Sequence, residues 1–207
     1  MKLADLEIET KLWAEGKKLI AGIDEVGRGS WAGPVVAAAV ILPKDWKLPP
    51  KLADSKLLKP KEREELSRII HSEAAYVSIA EVGLPVINRE GIGRATQRAF
   101  RLALKRLEIE PDYHLIDAFY IKYLPKGKQL PIIKGDQKSA SIAAASIVAK
   151  VHRDRLMRKL SREYPAYQWG RNKGYGTKAH QSAIKSHGFS PLHRTSFDLS
   201  FLGVQVR

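Results

Sequence analysis

Two apolar segments joined by a glycine-containing turn constrain the fold most, in the sequence GIDEVGRGSWAGPVVAAAVIL at residues 22–42. The flanking segments KKLIAGID and PVVAAAVIL are largely apolar and of strand length, and this pattern predicts buried strands. Asp24 and Glu25 are adjacent, at the end of the first apolar segment and just before the turn. Because burying a carboxylate is costly unless it is compensated, the pair is either functional or an ordinary part of the turn.

The rest of the chain alternates between strand-like and helix-like patterns. This alternation predicts an α/β or mixed-sheet domain over residues 1–164, which includes a short N-terminal helix. A turn-rich region and a shorter helix follow the break at Tyr164–Pro165, so residues 165–207 are expected to form a small helical extension. The further predicted strands are YVSIAEV, YHLIDAF and LPIIKGD, and the main predicted helices cover residues 61–73, 88–110 and 136–164.

Composition disfavours several classes of protein. The sequence has no run of about 18 apolar residues, so no membrane span is expected, and its start does not resemble a signal peptide. The absence of cysteine excludes disulfides and thiolate metal sites and fits a cytoplasmic protein. The formal charge of +14, from 36 basic and 22 acidic residues, favours a polyanionic partner over a basic protein without one.

Three carboxylates follow apolar segments that are expected to enter the core. Asp24 ends the first strand, Asp117 ends a later one, and Asp136 lies in the turn before the longest helix. Sites in α/β sheets form beyond the carboxyl ends of strands, and clustered carboxylates suit Mg²⁺ or Mn²⁺ in two-ion phosphodiester hydrolysis. Each acid also has an ordinary alternative. Asp24 and Glu25 could be turn residues, and Asp117 could contact a nearby loop. Asp136 could be the N-cap of the longest helix, a position for which Ser139 is the other candidate.

Glycine and basic residues surround these acids. Gly27, Arg28 and Gly29 allow the backbone to approach a phosphate or a ribose hydroxyl, although most such turns are only turns. The sequence has no P-loop motif. In ADSKLL, Ser55 and Lys56 are either phosphate contacts or solvated turn residues.

An aromatic residue and several histidines mark the C-terminal part. Tyr175 lies in the basic, glycine-rich loop NKGYGTKAH, where it either stacks on a base or packs the extension onto the main domain. The small residues of SIAAASIVAK predict a helix face close to the sheet, and Asp154 is expected to pair with neighbouring arginines. The histidines lack a zinc spacing and are interpreted as surface or packing residues; they are His152, His180, His187 and His193.

Six blocks of the sequence resemble those of ribonuclease HII, the type 2 ribonuclease H family, in the same order from about Ile20 to Phe197. The resemblance implies a ribonuclease H-like α/β fold, with a mixed central sheet whose first three strands are antiparallel, flanking helices, and a helical C-terminal extension that helps to hold the substrate. The blocks are GIDEVGRGSWAGPVVAAAVIL, LADSKLL, LIDAF, KGDQKSASIAAASIVAKVHRDRLM, NKGYGT and HRTSF.

The resemblance also implies an activity. Members hydrolyse the RNA strand of RNA/DNA hybrids and nick duplex DNA 5′ to a single embedded ribonucleotide, leaving a 3′-hydroxyl and a 5′-phosphate. The implied cofactors are two Mg²⁺ or Mn²⁺ ions, and the implied role is removal of ribonucleotides during replication and repair by a monomer. The alternatives are a nucleic-acid-binding protein that has lost the chemistry and a two-metal nuclease that acts on plain DNA.

The family's four acids correspond to Asp24, Glu25, Asp117 and Asp136. By resemblance, the first three hold the catalytic ions, and Asp136 binds the second ion or orients water. The family often has Pro-Leu where this chain has Ser30-Trp31, and Gly where it has Ala118. The three departures lie beside the acids and bear on substrate preference.

The family's substrate-reading residues also have counterparts here. Its glycine-arginine-glycine turn corresponds to Gly27, Arg28 and Gly29 and is expected to read the 2′-hydroxyl. Tyr175 is expected to stack at the junction, while Ser55 and Lys56 match a motif near the substrate backbone. The sister family, ribonuclease HIII, has an additional N-terminal domain and lacks this arginine, which favours HII.

Overall fold

The computed structural model describes residues 3–50, 52, 55 and 58–204. Its described residues contain a five-stranded sheet with the order β3-β2-β1-β4-β5. Each strand predicted from an apolar segment is present. The strands are β1 (Ile20–Val26), β2 (Val35–Ile41), β3 (Tyr76–Val82), β4 (Tyr113–Asp117) and β5 (Gln129–Ile132).

The sheet is mixed. Strands β1, β2 and β3 pair antiparallel, whereas β4 runs parallel to β1 and β5 runs parallel to β4. All seven residues of β2 are buried, as expected for an uninterrupted apolar strand covered on both faces. The expected α/β architecture, with its first three strands antiparallel, is therefore confirmed.

Helices cover both faces of the sheet. Helix α3 packs on one face with residues of β2 and β3, while α2 and α4 lie on the other. The described helices are α1 (Glu7–Ala14), α2 (Pro60–Glu73), α3 (Leu84–Lys105), α4 (Ala140–Glu163), α5 (Trp169–Asn172) and α6 (Lys178–His187). None of them is long and apolar enough to cross a membrane.

Helix α3 begins earlier than its sequence pattern predicts. It starts at Leu84, with Pro85 in its first turn, rather than at Asn88. Gly91 interrupts it with φ +79° and ψ 159°, a conformation that glycine adopts at little cost. The local break separates a first turn, which favours proline, from the longer apolar pattern that follows.

Helix α4 lies unusually close to β1. An added Cβ at Gly22 would come within 2.1 Å of the Ser141 backbone, so only glycine permits this approach. The expected close packing of SIAAASIVAK is therefore confirmed.

Ser139 is the N-cap of α4 and accepts a hydrogen bond from the Ile142 amide. The helix-cap alternative for Asp136 is wrong, because Asp136 lies in a preceding 3₁₀ turn.

The C-terminal segment packs on the end of α4 and on the turn between β1 and β2. Its core contains Trp169, Tyr167 and Ile184, together with Ala32 and Met157 from the earlier part of the chain. His180 and His193 are also buried there, which confirms the packing interpretation for these two histidines.

Candidate active site

The parallel pairing of β1 and β4 brings two of the predicted acids together. Ile23 lies beside Ile116 in this pairing, so Asp24 and Asp117 follow at the same edge of the sheet. Asp24 lies opposite Ala38 of β2, on the face covered by α4. Gly22, where α4 makes its close contact, lies two residues before Asp24 and therefore on the same face of the strand.

Asp24 lies in an electrostatically unfavourable position. Its side chain is only 5% exposed, and burial, followed by the charges of Glu25 and Asp117, raises its pKa well above the ordinary value. Hydrogen bonds from the Ser146 hydroxyl and the Glu25 amide, the latter 2.7 Å long, oppose that increase in pKa. The three acids therefore interact as one cluster of like charges.

Ser146 extends this cluster to the loop that contains Ser55. Their hydroxyl oxygens are 2.9 Å apart, so Ser55 donates to Ser146 when Ser146 donates to Asp24. Ser55 is 2% exposed and lines the same cavity as the acids. Lys56, its predicted companion, lies outside the described residues.

A cavity of about 240 Å³ opens beside Asp24 and Glu25. Its lining includes Lys150, which sequence reasoning missed. Lys150 donates to Asp154 at 2.7 Å, and burial lowers its pKa. Asp154 also lies 3.6 Å from Arg63 of α2, an arginine distant in sequence, whereas the sequence predicts a pairing with the arginines beside it on its own helix. The i, i+4 spacing of Ser146, Lys150 and Asp154 on α4 was the available signal.

Asp117 connects the acid cluster to the turn that holds Asp136. Its Oδ1 accepts a 2.7 Å hydrogen bond from the Gly135 amide. Asp136 follows directly in the 3₁₀ turn Gly135–Gln137 and is 4% exposed. A side chain at Gly135 would meet Ile142 at 2.6 Å, so this residue brings the turn close to α4.

The donor set suits a hard divalent cation in its chemistry. Carboxylate oxygens are the ligands that Mg²⁺ and Mn²⁺ prefer, and a bound cation would relieve the repulsion that raises the pKa of Asp24. In the described part of the chain, no group of three or more acidic or histidine side chains has the spacing of a preformed metal site.

The glycine turn, residues 27–34, connects β1 to β2 and begins with Gly27, Arg28 and Gly29. Gly27 has φ +91°, and an added Cβ would lie 2.2 Å from Nε of Arg153. Arg28 stacks on the Phe119 ring, 4.5 Å from its centroid, and its Nη1 lies 3.9 Å from Oε1 of Glu25. Arg28 is therefore held between the acid cluster and the residue that lies two positions after Asp117.

Tyr175 lines the same cavity as Asp24 and Glu25. Its loop is bound to the glycine turn, because the Gly174 carbonyl accepts hydrogen bonds from the Trp31 and Ala32 amides at 2.7 and 3.3 Å. An added Cβ at Gly176 would meet the Trp31 ring at 2.1 Å. The structure therefore brings Tyr175 and Asp24 to one cavity, and it ties the loop of Tyr175 to the turn that follows β1.

A second, basic cavity of about 440 Å³ begins at Arg28 and Phe119. It is also lined by Arg94 and Arg101 of α3 and by Lys122, none of which sequence reasoning identified. The i, i+7 spacing of the two α3 arginines was the available signal, since such residues share a helix face.

Comparisons with known proteins agree with these observations. The family model for Ribonuclease HII matches residues 21–200. Ribonuclease HII of Listeria monocytogenes serotype 4a is 49% identical, covering 92% of this chain and 72% of its own length. That of Caldanaerobacter subterraneus subsp. tengcongensis is 48% identical, covering 91% of this chain and 78% of its own length.

Solved structures show the same fold at lower identity. Ribonuclease HII in a PCNA complex from Archaeoglobus fulgidus has a TM-score of 0.71 and 23% identity, covering 90% of this chain and 98% of that one. Bst-RNase HIII in complex with Mn²⁺ has a TM-score of 0.65 and 20% identity, covering 90% and 69% respectively. With the family model matched over most of its length, this chain belongs to the ribonuclease HII family of ribonuclease H nucleases.

Proposed function

We propose that this chain is a divalent-metal-dependent endonuclease that hydrolyses the RNA strand of RNA/DNA hybrids and nicks duplex DNA 5′ to a single ribonucleotide. The observation that carries the proposal is the juxtaposition of Asp24, Glu25 and Tyr175 in one cavity. In this reaction water attacks the phosphorus and the bond to the upstream O3′ breaks. The products are a 3′-hydroxyl and a 5′-phosphate.

The acids would supply the metal ligands. Asp24, Glu25 and Asp117 would hold Mg²⁺ or Mn²⁺, and Asp136 would complete a second site or orient the attacking water. Bound there, the ions would activate water and stabilise charge on the leaving oxygen. The Mn²⁺ complex of the structurally related Bst-RNase HIII supports this ion chemistry. The Ser146 hydroxyl would keep Asp24 oriented towards the cavity.

The glycine turn and Tyr175 would select the substrate. Backbone groups of Gly27, Arg28 and Gly29 would contact the 2′-hydroxyl, which distinguishes RNA from DNA. Tyr175 would stack at the junction between the ribonucleotide and the following deoxynucleotide. Ser55 lines the cavity and with Lys56 would act near the substrate backbone.

Binding to the duplex would depend mainly on charge. The net charge of +14 provides a basic surface, and the arginine-lined cavity beside Arg28 extends it along α3. The helical extension over residues 165–207 would contribute to substrate binding by supporting Tyr175. Affinity is therefore expected to fall as salt increases. We expect a cytoplasmic monomer that removes ribonucleotides during DNA replication and repair.

The test is a cleavage assay on three duplexes: all-DNA, DNA with one ribonucleotide, and an RNA/DNA hybrid. Each is incubated with Mg²⁺, Mn²⁺ or EDTA. The proposal expects one metal-dependent nick 5′ to the ribonucleotide and no cleavage of all-DNA. Cleavage of the long hybrid alone would remove the roles given to Tyr175 and the glycine turn, whereas binding without cleavage under every condition would favour a binding protein.

A further inference from the structure

We infer that Arg153 and Arg194 are positioning residues that fix the glycine turn of residues 27–34, and that Arg153 couples this turn to the loop carrying Tyr175. The inference rests on the proposed function and deepens it. It assigns to two buried cations, outside the acid cluster, the geometry with which the substrate is read.

Arg194 holds the backbone of the glycine turn. Its Nη2 donates to the carbonyls of Gly27 and Gly33 at 2.7 and 2.9 Å, and its Nη1 donates to the carbonyl of Arg28 at 2.7 Å. Its Nε makes a further 3.1 Å hydrogen bond to Gly33. One planar guanidinium therefore fixes three carbonyls at both ends of the turn.

These contacts also fix the direction of two amides. In a trans peptide the C=O of one residue and the N–H of the next point in opposite directions. Since Arg194 binds the carbonyls of Gly27 and Arg28, the N–H groups of Arg28 and Gly29 point away from the guanidinium. Neither amide donates a hydrogen bond within the described residues, so both are available to an oxygen of the substrate.

Arg153 connects this turn to a second segment. It donates to Ser30 Oγ at 2.7 Å and to the carbonyls of Ala32 and Pro34 at 3.1 and 3.0 Å. Its Nη1 donates to the carbonyl of Lys173 at 2.9 Å, two residues before Tyr175. A shift of Arg153 would therefore displace the 2′-hydroxyl-reading turn and the stacking residue together.

The environment of the two arginines favours a geometric role. Arg153 and Arg194 are 0% and 1% exposed, and neither has an ion-pair partner in the described residues. Burial lowers the pKa of both, that of Arg194 to about 9. Burying two cations without carboxylates is costly, and stability alone would be better served by an apolar core. A fork of five donors, however, fixes several oxygens in one plane, which lysine cannot do.

The test uses charge-preserving variants, Arg153→Lys and Arg194→Lys, assayed on single-ribonucleotide duplex and on long hybrid. Arg194→Lys is expected to lower kcat on both by on the order of 10- to 100-fold, the effect of a misplacement near 1 Å. Arg153→Lys is expected to impair the single-ribonucleotide duplex more than the hybrid, because only the former requires Tyr175 at every cut. KM should change little, since the exposed basic surface is intact.

Arg158→Lys is the matched control, because Arg158 lies on the same helix but forms a half-exposed ion pair with Glu64. Amide hydrogen exchange separates positioning from general instability. Arg153→Lys should accelerate exchange in residues 27–34 and 173–176 together, and leave α3 protected. Should a lysine variant fail to fold, Ser30→Ala removes one Arg153 contact; a wild-type exchange pattern and wild-type nicking in that variant would count against the inference.

Two results would overturn the inference: folded variants with wild-type kcat on both substrates, or exchange that increases uniformly over the chain. A wild-type protein that cuts no substrate would instead remove the proposed function. The exchange measurement would still decide whether Arg153 couples the two segments, so the two failures are distinguishable.

Discussion

The acid cluster and the neighbouring glycine turn treat buried charge in opposite ways. On the sheet side, Glu25 and Asp117 act on a buried Asp24 whose pKa is raised. On the turn side, Arg153 and Arg194 are bonded to carbonyl and hydroxyl oxygens. A cation bound at the acid cluster would relieve this repulsion, whereas the charges of the two arginines are hydrogen-bonded by the chain itself. The two proposed roles, metal binding by the acids and substrate reading by the turn, fit these two different constructions.

Replacing Asp24→Asn should break this comparison most strongly. Cleavage should fall by on the order of 1,000-fold or more, because loss of a metal ligand removes several kcal/mol of transition-state stabilisation. Without metal at pH 7, thermal stability should rise, since a raised pKa in the folded state means that the ionised carboxylate opposes folding. Hybrid binding should persist.

Melting curves with EDTA, Mg²⁺ and Mn²⁺ would measure the stability part of this prediction. The wild type should be stabilised by either ion and Asp24→Asn much less so. Asp45→Asn, at an exposed turn residue, is the matched control. Equal stabilisation of all three proteins would show that the ions bind elsewhere.

Acid should destabilise the C-terminal segment that packs on the glycine turn, because it buries His180 and His193. Burial, and then the neighbouring His180, lowers the pKa of His193 to about 4. Trp169 Nε1 donates to His180 Nε2, and the Ser190 amide donates to His193 Nδ1, so a proton on either acceptor nitrogen would face a donor. Because the unfolded chain binds this proton below about 6.5, stability should fall by roughly 3 kcal/mol between pH 6.5 and 4 and then level off.

Thermal melts from pH 7.5 to pH 4 would check this dependence. His193→Gln should be less stable at pH 7 but should lose less stability on acidification. His187→Gln, at an exposed histidine, should retain the wild-type slope. Identical slopes in all three proteins would assign the acid sensitivity to other groups.

Gly27 and Gly29 allow the turn's structural and substrate-reading functions to be separated. Gly27→Ala should destabilise the protein by about 1–3 kcal/mol, because φ is +91° and the new Cβ would meet Arg153. Gly29→Ala meets no atom within 4 Å, so its melting temperature should stay near that of the wild type. If Gly29→Ala nonetheless loses nicking, the lost space is space that the substrate occupies.

Denaturant titration and the single-ribonucleotide assay, applied to both variants, would provide these measurements. Equal destabilisation by the two substitutions would contradict the assignment of Gly27 alone to the arginine contact. Wild-type nicking by Gly29→Ala would show that the substrate does not approach this residue closely.

The strands and the acids at their ends were accessible from sequence, because a buried apolar strand and the carboxylate that follows it are local patterns. Asp24 and Asp117 were identified in this way. The N-cap of α4 was ambiguous, since Asp136 and Ser139 both suit that position and only the intervening 3₁₀ turn distinguishes them. The arginine contacts were inaccessible, because carbonyl acceptors such as that of Lys173 leave no mark in the side-chain pattern.

The smallest expected effect concerns Ser30, where the family often has proline. Its hydroxyl donates to the Gly27 carbonyl at 2.9 Å and accepts from Arg153 at 2.7 Å. Ser30→Ala should cost about 1 kcal/mol, because Arg153 Nη2 retains the Ala32 carbonyl at 3.1 Å and is not left unsatisfied. Ser182→Ala, at an exposed residue of α6, is the control for chemical denaturation. If Ser30→Ala matches that control in stability and in nicking, the hydroxyl does not help to position Arg153, and the result would count against the inferred coupling.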